Sequence, residues 1–187
     1  MPSVVGRHEL SLIPEYRIVS LQDSRHAGLE GSAEAIAEAG RAVAAVAPSG
    51  LYLCVNQDQL PVDIDLVIWD GPPPHDPDPA AGWTRAGIFT MPFPSGDIAL
   101  GDLGGRAVSG SWLRGRTGDY TVEVWSRGRE RAAIRQAEMF GETADLTIPE
   151  STAYIQREGS GIEQYQLRLW PHAQTGAVER SSISAKW

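Results

Sequence analysis

The chain has 187 residues and a formal net charge of −8 at pH 7, which fits one globular domain that needs no disulfide or metal to fold. The acidity argues against direct nucleic-acid binding, because phosphate binding draws its affinity from clustered Lys and Arg. No apolar run reaches the roughly 18 residues of a membrane span and the N-terminus has no signal-peptide core, so we expect a cytoplasmic protein without a membrane partner.

The first part of the chain is predicted to hold short strands and one helix. Residues 9–22 alternate loosely around a proline, which indicates two short strands or one broken edge strand. Residues 33–46 are rich in alanine and follow a serine N-cap, so they predict an α-helix. Residues 51–56 and 62–69 are predicted strands, and the alternation of the second turns Asp63 and Asp65 away from the core.

The middle of the chain begins with a loop. Residues 70–79 contain five prolines, which remove backbone donors and exclude regular structure. A long irregular loop in a compact domain is either functional or disordered. Residues 86–91 and 98–100 are predicted strands, and the glycine-rich stretch 102–110 lacks the spacing of a phosphate-binding loop.

The second half contains the clearest strand signals. Residues 120–125 and 162–170 alternate apolar and polar side chains, as half-buried strands do. Residues 126–140 favour a short helix or a loop equally, whereas 144–148 and 152–156 are short strand candidates. Residues after Pro171 show little apolar periodicity. We therefore expect a single domain over residues 1–172 and a flexible C-terminal tail over 173–187.

These elements together predict a mainly β protein. Eight to ten short strands with one early helix favour an antiparallel two-sheet β-sandwich, with the helix at about 33–46 either in a crossover or packed at an edge. A closed barrel is the alternative. An exposed edge strand over residues 86–91 is a candidate for pairing across a homodimer.

No catalytic, cofactor or metal motif is present in the sequence, and no residue is assigned to these roles. The four histidines are scattered, without the spacing of a metal-ligand pair. The loop around His75 and Asp78 offers oxygens for Ca²⁺ but has no calcium-loop pattern. The single cysteine, Cys54, lies in an apolar run and is predicted to be a small buried side chain.

The acidic charge is concentrated in the middle of the chain. Eight aspartates and one arginine lie between Asp58 and Asp102. If these aspartates share a face they form a patch that attracts a basic partner; otherwise they are solvated turn residues. Trp83, directly after the proline-rich loop, is either a core residue or a protein-binding hot spot. The candidate binding residues are Asp63, Asp65, Asp70, Asp76, Asp78 and Trp83.

Several segments resemble the competence protein J family. The order of the early strands, the alanine-rich helix and the strand Thr117-Gly-Asp-Tyr-Thr-Val-Glu-Val124 is similar to that family. The turn 126–130 and the strand 163–171 also resemble uncharacterised bacterial proteins. The known member of the family inhibits a DNA-entry nuclease. The resemblance therefore implies a small, non-enzymatic protein of the inhibitor or immunity type that occludes a basic nuclease or toxin.

Two other functional classes remain open. A concave pocket lined by Trp83 and Trp69 would favour a module that binds a small ligand or a carbohydrate, whereas a flat acidic face would favour the inhibitor. An unrecognised hydrolase would show a close pair of acidic residues, or a histidine beside a serine, in one cleft.

Overall fold

The structure, a computed structural model, describes residues 1–25, 28–58, 60–103 and 106–173. Apart from Ala173, the predicted C-terminal tail lies outside the described residues. The strands of the described part form two five-stranded sheets, which are not closed into a barrel. The barrel alternative is therefore wrong, and the mainly β prediction is confirmed.

One sheet, here called sheet A, carries the strongest strand signals of the sequence. Its strand order is β1-β5-β10-β9-β6. The strands are β1 (Val4–Leu12), β5 (Val62–Trp69), β6 (Thr84–Phe93), β9 (Gly118–Arg127) and β10 (Glu163–Pro171). Strand β10 pairs in parallel with β5 and antiparallel with β9. Sheet A is thus mixed, which corrects the expectation of purely antiparallel sheets.

The second sheet, sheet B, is antiparallel throughout, with the order β3-β4-β2-β7-β8. Its strands are β2 (Ile18–Asp23), β3 (Ala44–Ala47), β4 (Gly50–Cys54), β7 (Ile98–Asp102) and β8 (Ala107–Gly110). The two sheets share one core, because buried side chains of both form a single cluster that includes Leu51, Leu100, Leu66, Val124 and Leu167. Burial of such side chains supplies the main driving force for folding.

The described residues contain three α-helices rather than the one predicted. They are α1 (Ser32–Ala42), α2 (Arg129–Glu142) and α3 (Ile148–Gly159), and a 3₁₀ turn spans Pro79–Ala81. Helix α1 ends early because Val43 takes a left-handed φ of 76° and the chain turns into β3. The strand candidates at 144–148 and 152–156 are wrong, since residues 144–147 form the connection between α2 and α3, and Ile148 and residues 152–156 belong to α3. None of the helices in the described residues has the length and apolar character needed to cross a bilayer.

Residues 70–83, here called the proline loop, contact the face of sheet A that points away from the core. Arg168, a buried residue on that face of β10, donates a hydrogen bond of 2.8 Å to the carbonyl oxygen of His75. Burial lowers the pKa of the Arg168 guanidinium, and the carboxylate of Glu123 lies 3.7 Å away to offset that cost. The loop therefore forms one border of the outer face of sheet A.

Candidate functional site

An open pocket of about 640 Å³ lies on the outer face of sheet A. Its floor is made by the outward side chains of three neighbouring strands, and its wall by Trp83 and a residue of β9. The residues of the outer face that line it are Arg7, Glu9, Ser11, Asp63, Asp65, Trp83, Arg127, Gln164 and Gln166, and Leu10, Ile64 and Tyr165 of the same strands complete the lining. The pocket exists because alternate residues of adjacent strands point to the same face of the sheet.

The carboxylates of the pocket differ in their partners. Asp65 receives two hydrogen bonds from the guanidinium of Arg7, at 2.8 and 3.0 Å, and a third from Gln166 at 2.9 Å. The hydrogen bond and charge of Asp65 raise the pKa of Arg7 above its usual value. Glu9 lies 3.6 Å from the same guanidinium, and its side chain is 78% exposed. Asp65 is therefore already paired, whereas Glu9 is largely free for another cation.

Asp63 makes no side-chain hydrogen bond or ion pair within the part of the chain that the structure describes. Its side chain is half-buried and lines the pocket. A carboxylate that is partly removed from water without a partner gains most from an incoming positive charge. Three carboxylates and two guanidiniums line the pocket in all, so its formal charge is negative.

The aromatic wall of the pocket is held by Arg127. Its guanidinium lies over the ring of Trp83, 4.6 Å from the ring centre. The same guanidinium donates a hydrogen bond of 2.7 Å to the side-chain oxygen of Gln164 and one of 3.4 Å to the carbonyl oxygen of Ala81. Arg127 thus joins the proline loop to β10 and fixes the indole at the pocket's rim.

The structure brings together three of the six residues predicted to bind a partner. Asp63, Asp65 and Trp83 line the pocket, but Asp70 accepts two hydrogen bonds of 2.7 Å from Ser3, which lower its pKa. Asp78 accepts a hydrogen bond of 2.9 Å from the backbone of Ala80 and begins the 3₁₀ turn. The lining does not include Asp76, whose charge acts on Arg168. Asp70 and Asp78 are therefore engaged in structural hydrogen bonds, Asp70 with the distant Ser3 and Asp78 with its neighbour Ala80.

Sequence reasoning missed the contributions of β1 and β10 to the pocket. The outward direction of Gln164 and Gln166 follows from the alternation of β10, and Arg7, Glu9 and Ser11 alternate in the same way along β1. The pairing of both strands with β5 brings them into contact, and nothing local in the sequence specifies that pairing. The tryptophan expected to accompany Trp83 lies elsewhere, since Trp69 lines a separate small cavity of about 60 Å³.

A second polar cluster joins the ends of three elements close to the core. The side chain of Glu163, which is fully buried, accepts a hydrogen bond of 3.0 Å from the backbone N–H of Asn56 and one of 2.7 Å from the hydroxyl of Tyr165. Arg129 donates to the carbonyl oxygen of Cys54 at 2.7 Å and also to the Tyr165 hydroxyl. These bonds tie the start of α2 to the end of β4 and the start of β10.

Burial governs the ionisation of this cluster. Removal from water raises the pKa of Glu163, although the hydrogen bonds and the nearby guanidinium of Arg129 oppose the shift. Burial also raises the pKa of Tyr165. Because the polar groups satisfy one another inside the fold, the cluster stabilises the contact between α2, β4 and β10.

Among residues 1–25, 28–58, 60–103 and 106–173, no group of three or more His, Cys, Asp or Glu side chains is placed to hold a metal ion.

No protein-family model matches this sequence, and no curated protein matches it. Among solved structures, the chain is similar to ComJ, inhibitor of the DNA degrading activity of NucA, from Bacillus subtilis, with 14% identity and a TM-score of 0.49. It is also similar to the product of crocagin biosynthetic gene J, with 11% identity and a TM-score of 0.47. Each match covers 92% of this chain and 99% of the other.

The resemblance to the competence protein J family that the sequence indicated is thus confirmed as a structural similarity. Both TM-scores are below 0.5, so neither neighbour assigns a site residue or an activity to this chain.

Proposed function

We propose that this chain is a non-enzymatic protein-binding module whose binding surface is the outer-face pocket of sheet A. The observation that carries this proposal is the half-buried carboxylate of Asp63, which has no partner among the described residues and lies in a pocket with Glu9 and an aromatic wall. Tryptophan is among the residues most enriched in protein-binding hot spots, which cluster in pockets that are desolvated on binding. The surface suits a lysine or arginine side chain of a partner.

We further propose that the partner is a basic nuclease or toxin, which this protein inhibits by occluding its active site. The chain has a net charge of −8, and the pocket holds three carboxylates against two guanidiniums, so the surface is electrostatically suited to a basic enzyme. Carboxylates at the contact can occupy the positions at which a nuclease binds phosphates. Binding of this kind is fast at low ionic strength and weakens with salt.

The proposal can be tested by a pull-down experiment. The tagged protein is used to capture its partner from a lysate of the cells that naturally produce it, at two salt concentrations. The electrostatic screening length is about 10 Å at 0.1 M salt and about 3 Å at 1 M. We expect one basic protein to be captured at low salt and lost at high salt, and to show a nuclease or toxin activity that the captured complex lacks. Capture that is insensitive to salt would count against the electrostatic mechanism.

A matched pair of variants localises the binding surface. Asp63→Asn removes one negative charge from the pocket without breaking a hydrogen bond of the described residues. Asp145→Asn removes the same charge from the exposed turn between α2 and α3. We expect Asp63→Asn to weaken binding by about 1 kcal/mol, roughly fivefold, and Asp145→Asn to leave binding unchanged. Equal effects of the two variants would show that only the net charge matters.

A second candidate function is the binding of a small ligand or carbohydrate. It is favoured by the same pocket, whose lining includes Trp83, Gln164 and Gln166. An aromatic surface with a few polar side chains is typical of ligand sites. Saturable binding of a sugar that is abolished by Trp83→Ala, with no protein captured from the lysate, would favour this alternative.

A further inference from the structure

Strand β1 forms an unpaired edge of sheet A directly beside the pocket. It is hydrogen-bonded to β5 on one side. On its other side, no backbone hydrogen bond from the described residues reaches residues 4–12. We infer that this edge accepts an extended segment of the partner as an added strand, and that a Lys or Arg of that segment enters the pocket. The inference rests on the proposed function and specifies how the partner binds.

The other strand edges are less suited to this role. Strand β6, at the opposite edge of sheet A, is interrupted by a bulge between Arg85 and Gly87 and contains Pro92, which has no N–H to donate. The edges of sheet B, β3 and β8, have four residues each. Strand β1 also has a bulge between Val4 and Gly6, but its register with β5 is regular from there to Leu12. It therefore offers a regular, proline-free edge.

The side chains of β1 indicate the chemistry of the added strand. Arg7, Glu9 and Ser11 lie on the outer face, and all three line the pocket. A strand added to β1 lies about 4.8 Å away and places every second side chain on this same face. Arg7 is paired with Asp65. Glu9 is therefore the carboxylate on the edge strand that remains available to a partner. A basic residue opposite Glu9 satisfies cross-strand charge pairing, and one opposite Ser11 lies in line with Asp63, which is paired with Ser11 in the register of β1 and β5.

The inference can be tested with a blocked synthetic peptide, Thr-Thr-Val-Arg-Val-Thr-Thr, added to the isotope-labelled protein. Two matched peptides separate the contributions of backbone and charge: one has N-methyl groups on its central residues, and the other has Glu in place of Arg. We expect the parent peptide to shift backbone amide resonances of β1 and of the pocket strands. We expect the N-methylated peptide to bind at least about tenfold more weakly, because its backbone cannot donate to β1.

A charge exchange makes the test specific to the pocket. In the variant Glu9→Lys we expect the Arg peptide to bind severalfold more weakly and the Glu peptide to bind more tightly, because the cross-strand charges are then reversed. Failure of the Arg peptide to bind at millimolar concentration, equal binding of the N-methylated peptide, or resonance shifts confined to other strands would each overturn the inference. Partner capture that depends on Asp63 would survive such a result, so the proposed function is tested separately.

Discussion

At the scale of single residues, Arg127 controls the wall of the pocket. Its guanidinium contacts the ring of Trp83 and also holds Gln164 and the backbone of Ala81. We predict that Arg127→Ala moves and broadens the indole N–H resonance of Trp83 and lowers stability by about 1 to 2 kcal/mol, the sum of a cation–π contact and one or two hydrogen bonds. The measurements are a proton–nitrogen correlation spectrum and urea denaturation.

Two further variants control this prediction. Arg127→Lys keeps the charge but loses the planar fork, so we expect it to restore the Trp83 resonance only partly. Arg131→Ala removes an exposed arginine of α2 that makes no side-chain hydrogen bond or ion pair with the described residues. An unchanged Trp83 resonance in Arg127→Ala, or the same change in Arg131→Ala, would contradict the assigned role.

A second residue-scale prediction concerns the pH dependence introduced by Glu163. Burial raises the pKa of Glu163 in the folded protein above the ordinary value of 4.5. At pH values between the unfolded-state pKa and the raised folded-state pKa, the folded protein therefore binds more protons than the unfolded protein. The free energy of unfolding falls as pH rises through this window. We predict that Glu163→Gln removes this part of the pH dependence.

The measurement for Glu163 is urea denaturation of both proteins from pH 4 to pH 7, a range that includes the ordinary pKa of 4.5. The difference between the two profiles isolates Glu163, because all other groups are common to both proteins. Groups with lowered pKa, such as Glu142, titrate below the window. A difference that grows in favour of the wild type as pH rises would show that Arg129 stabilises the carboxylate more than burial destabilises it.

The outward direction of two pocket carboxylates was predictable from the sequence, but their surroundings were not. Strict alternation in residues 62–69 places Asp63 and Asp65 on the face opposite Ile64, which the structure confirms. The partner of Asp65 is Arg7, 58 residues away, and that contact depends on strand pairing. Charge counting also grouped Asp70 and Asp78 with Asp63 and Asp65 as binding residues, although Ser3 donates to Asp70 and the backbone N–H of Ala80 donates to Asp78.

At the scale of elements, helix α3 shows a local signal that the strand prediction overlooked. Thr147 and Glu150 form a capping box, in which Glu150 accepts hydrogen bonds from both the backbone N–H and the hydroxyl of Thr147, at 3.0 and 2.7 Å. Pro149 in the first turn is also typical of a helix start. Short apolar runs such as residues 144–148 fit strands and helices equally well, so the cap was the more informative feature.

This cap predicts acid-induced fraying of α3. The hydrogen bonds from Thr147 lower the pKa of Glu150 below 4.5 in the folded protein. A depressed pKa contributes stability above the unfolded-state value, and this contribution is lost as pH falls through the folded-state pKa. We expect amide exchange in the first turn of α3 to accelerate below about pH 4 relative to that of α1.

The variant Glu150→Gln is the control for the acid effect. Glutamine keeps an acceptor oxygen for Thr147 but has no ionisable group, so its first turn should show no acid transition specific to α3. Equal acceleration in the variant and the wild type would assign the fraying to global acid destabilisation.

At the scale of the whole molecule, the sequence predicted which segments form sheets but not how the segments are ordered. The alternation of residues 120–125 and 162–170 is a local property, and both became central strands of sheet A. The parallel pairing of β10 with β5 joins residues about a hundred positions apart, such as Leu167 and Leu66. Only the packed core selects that register, and sequence periodicity does not report it.

The shared core predicts that the two sheets unfold together. Leu167 is fully buried in β10, between β5 and β9, and belongs to the cluster that includes residues of both sheets. We predict that Leu167→Ala lowers the free energy of unfolding by about 3 kcal/mol and shifts a single transition. Ile88→Ala on β6, where the side chain is 53% exposed, should cost less than about 0.5 kcal/mol.

Urea unfolding monitored by both fluorescence and far-ultraviolet circular dichroism checks this prediction. A chain ending at Ala173 should unfold at the same midpoint as the full chain, because the expected domain lies within residues 1–172. Two transitions in Leu167→Ala, one of them at the wild-type midpoint, would mean that sheet B is stable without sheet A. Coincident transitions by both probes would instead show that the pocket unfolds together with the core. The floor of the pocket consists of the outward side chains of β1, β5 and β10, which are strands of the sheet that contributes to this core.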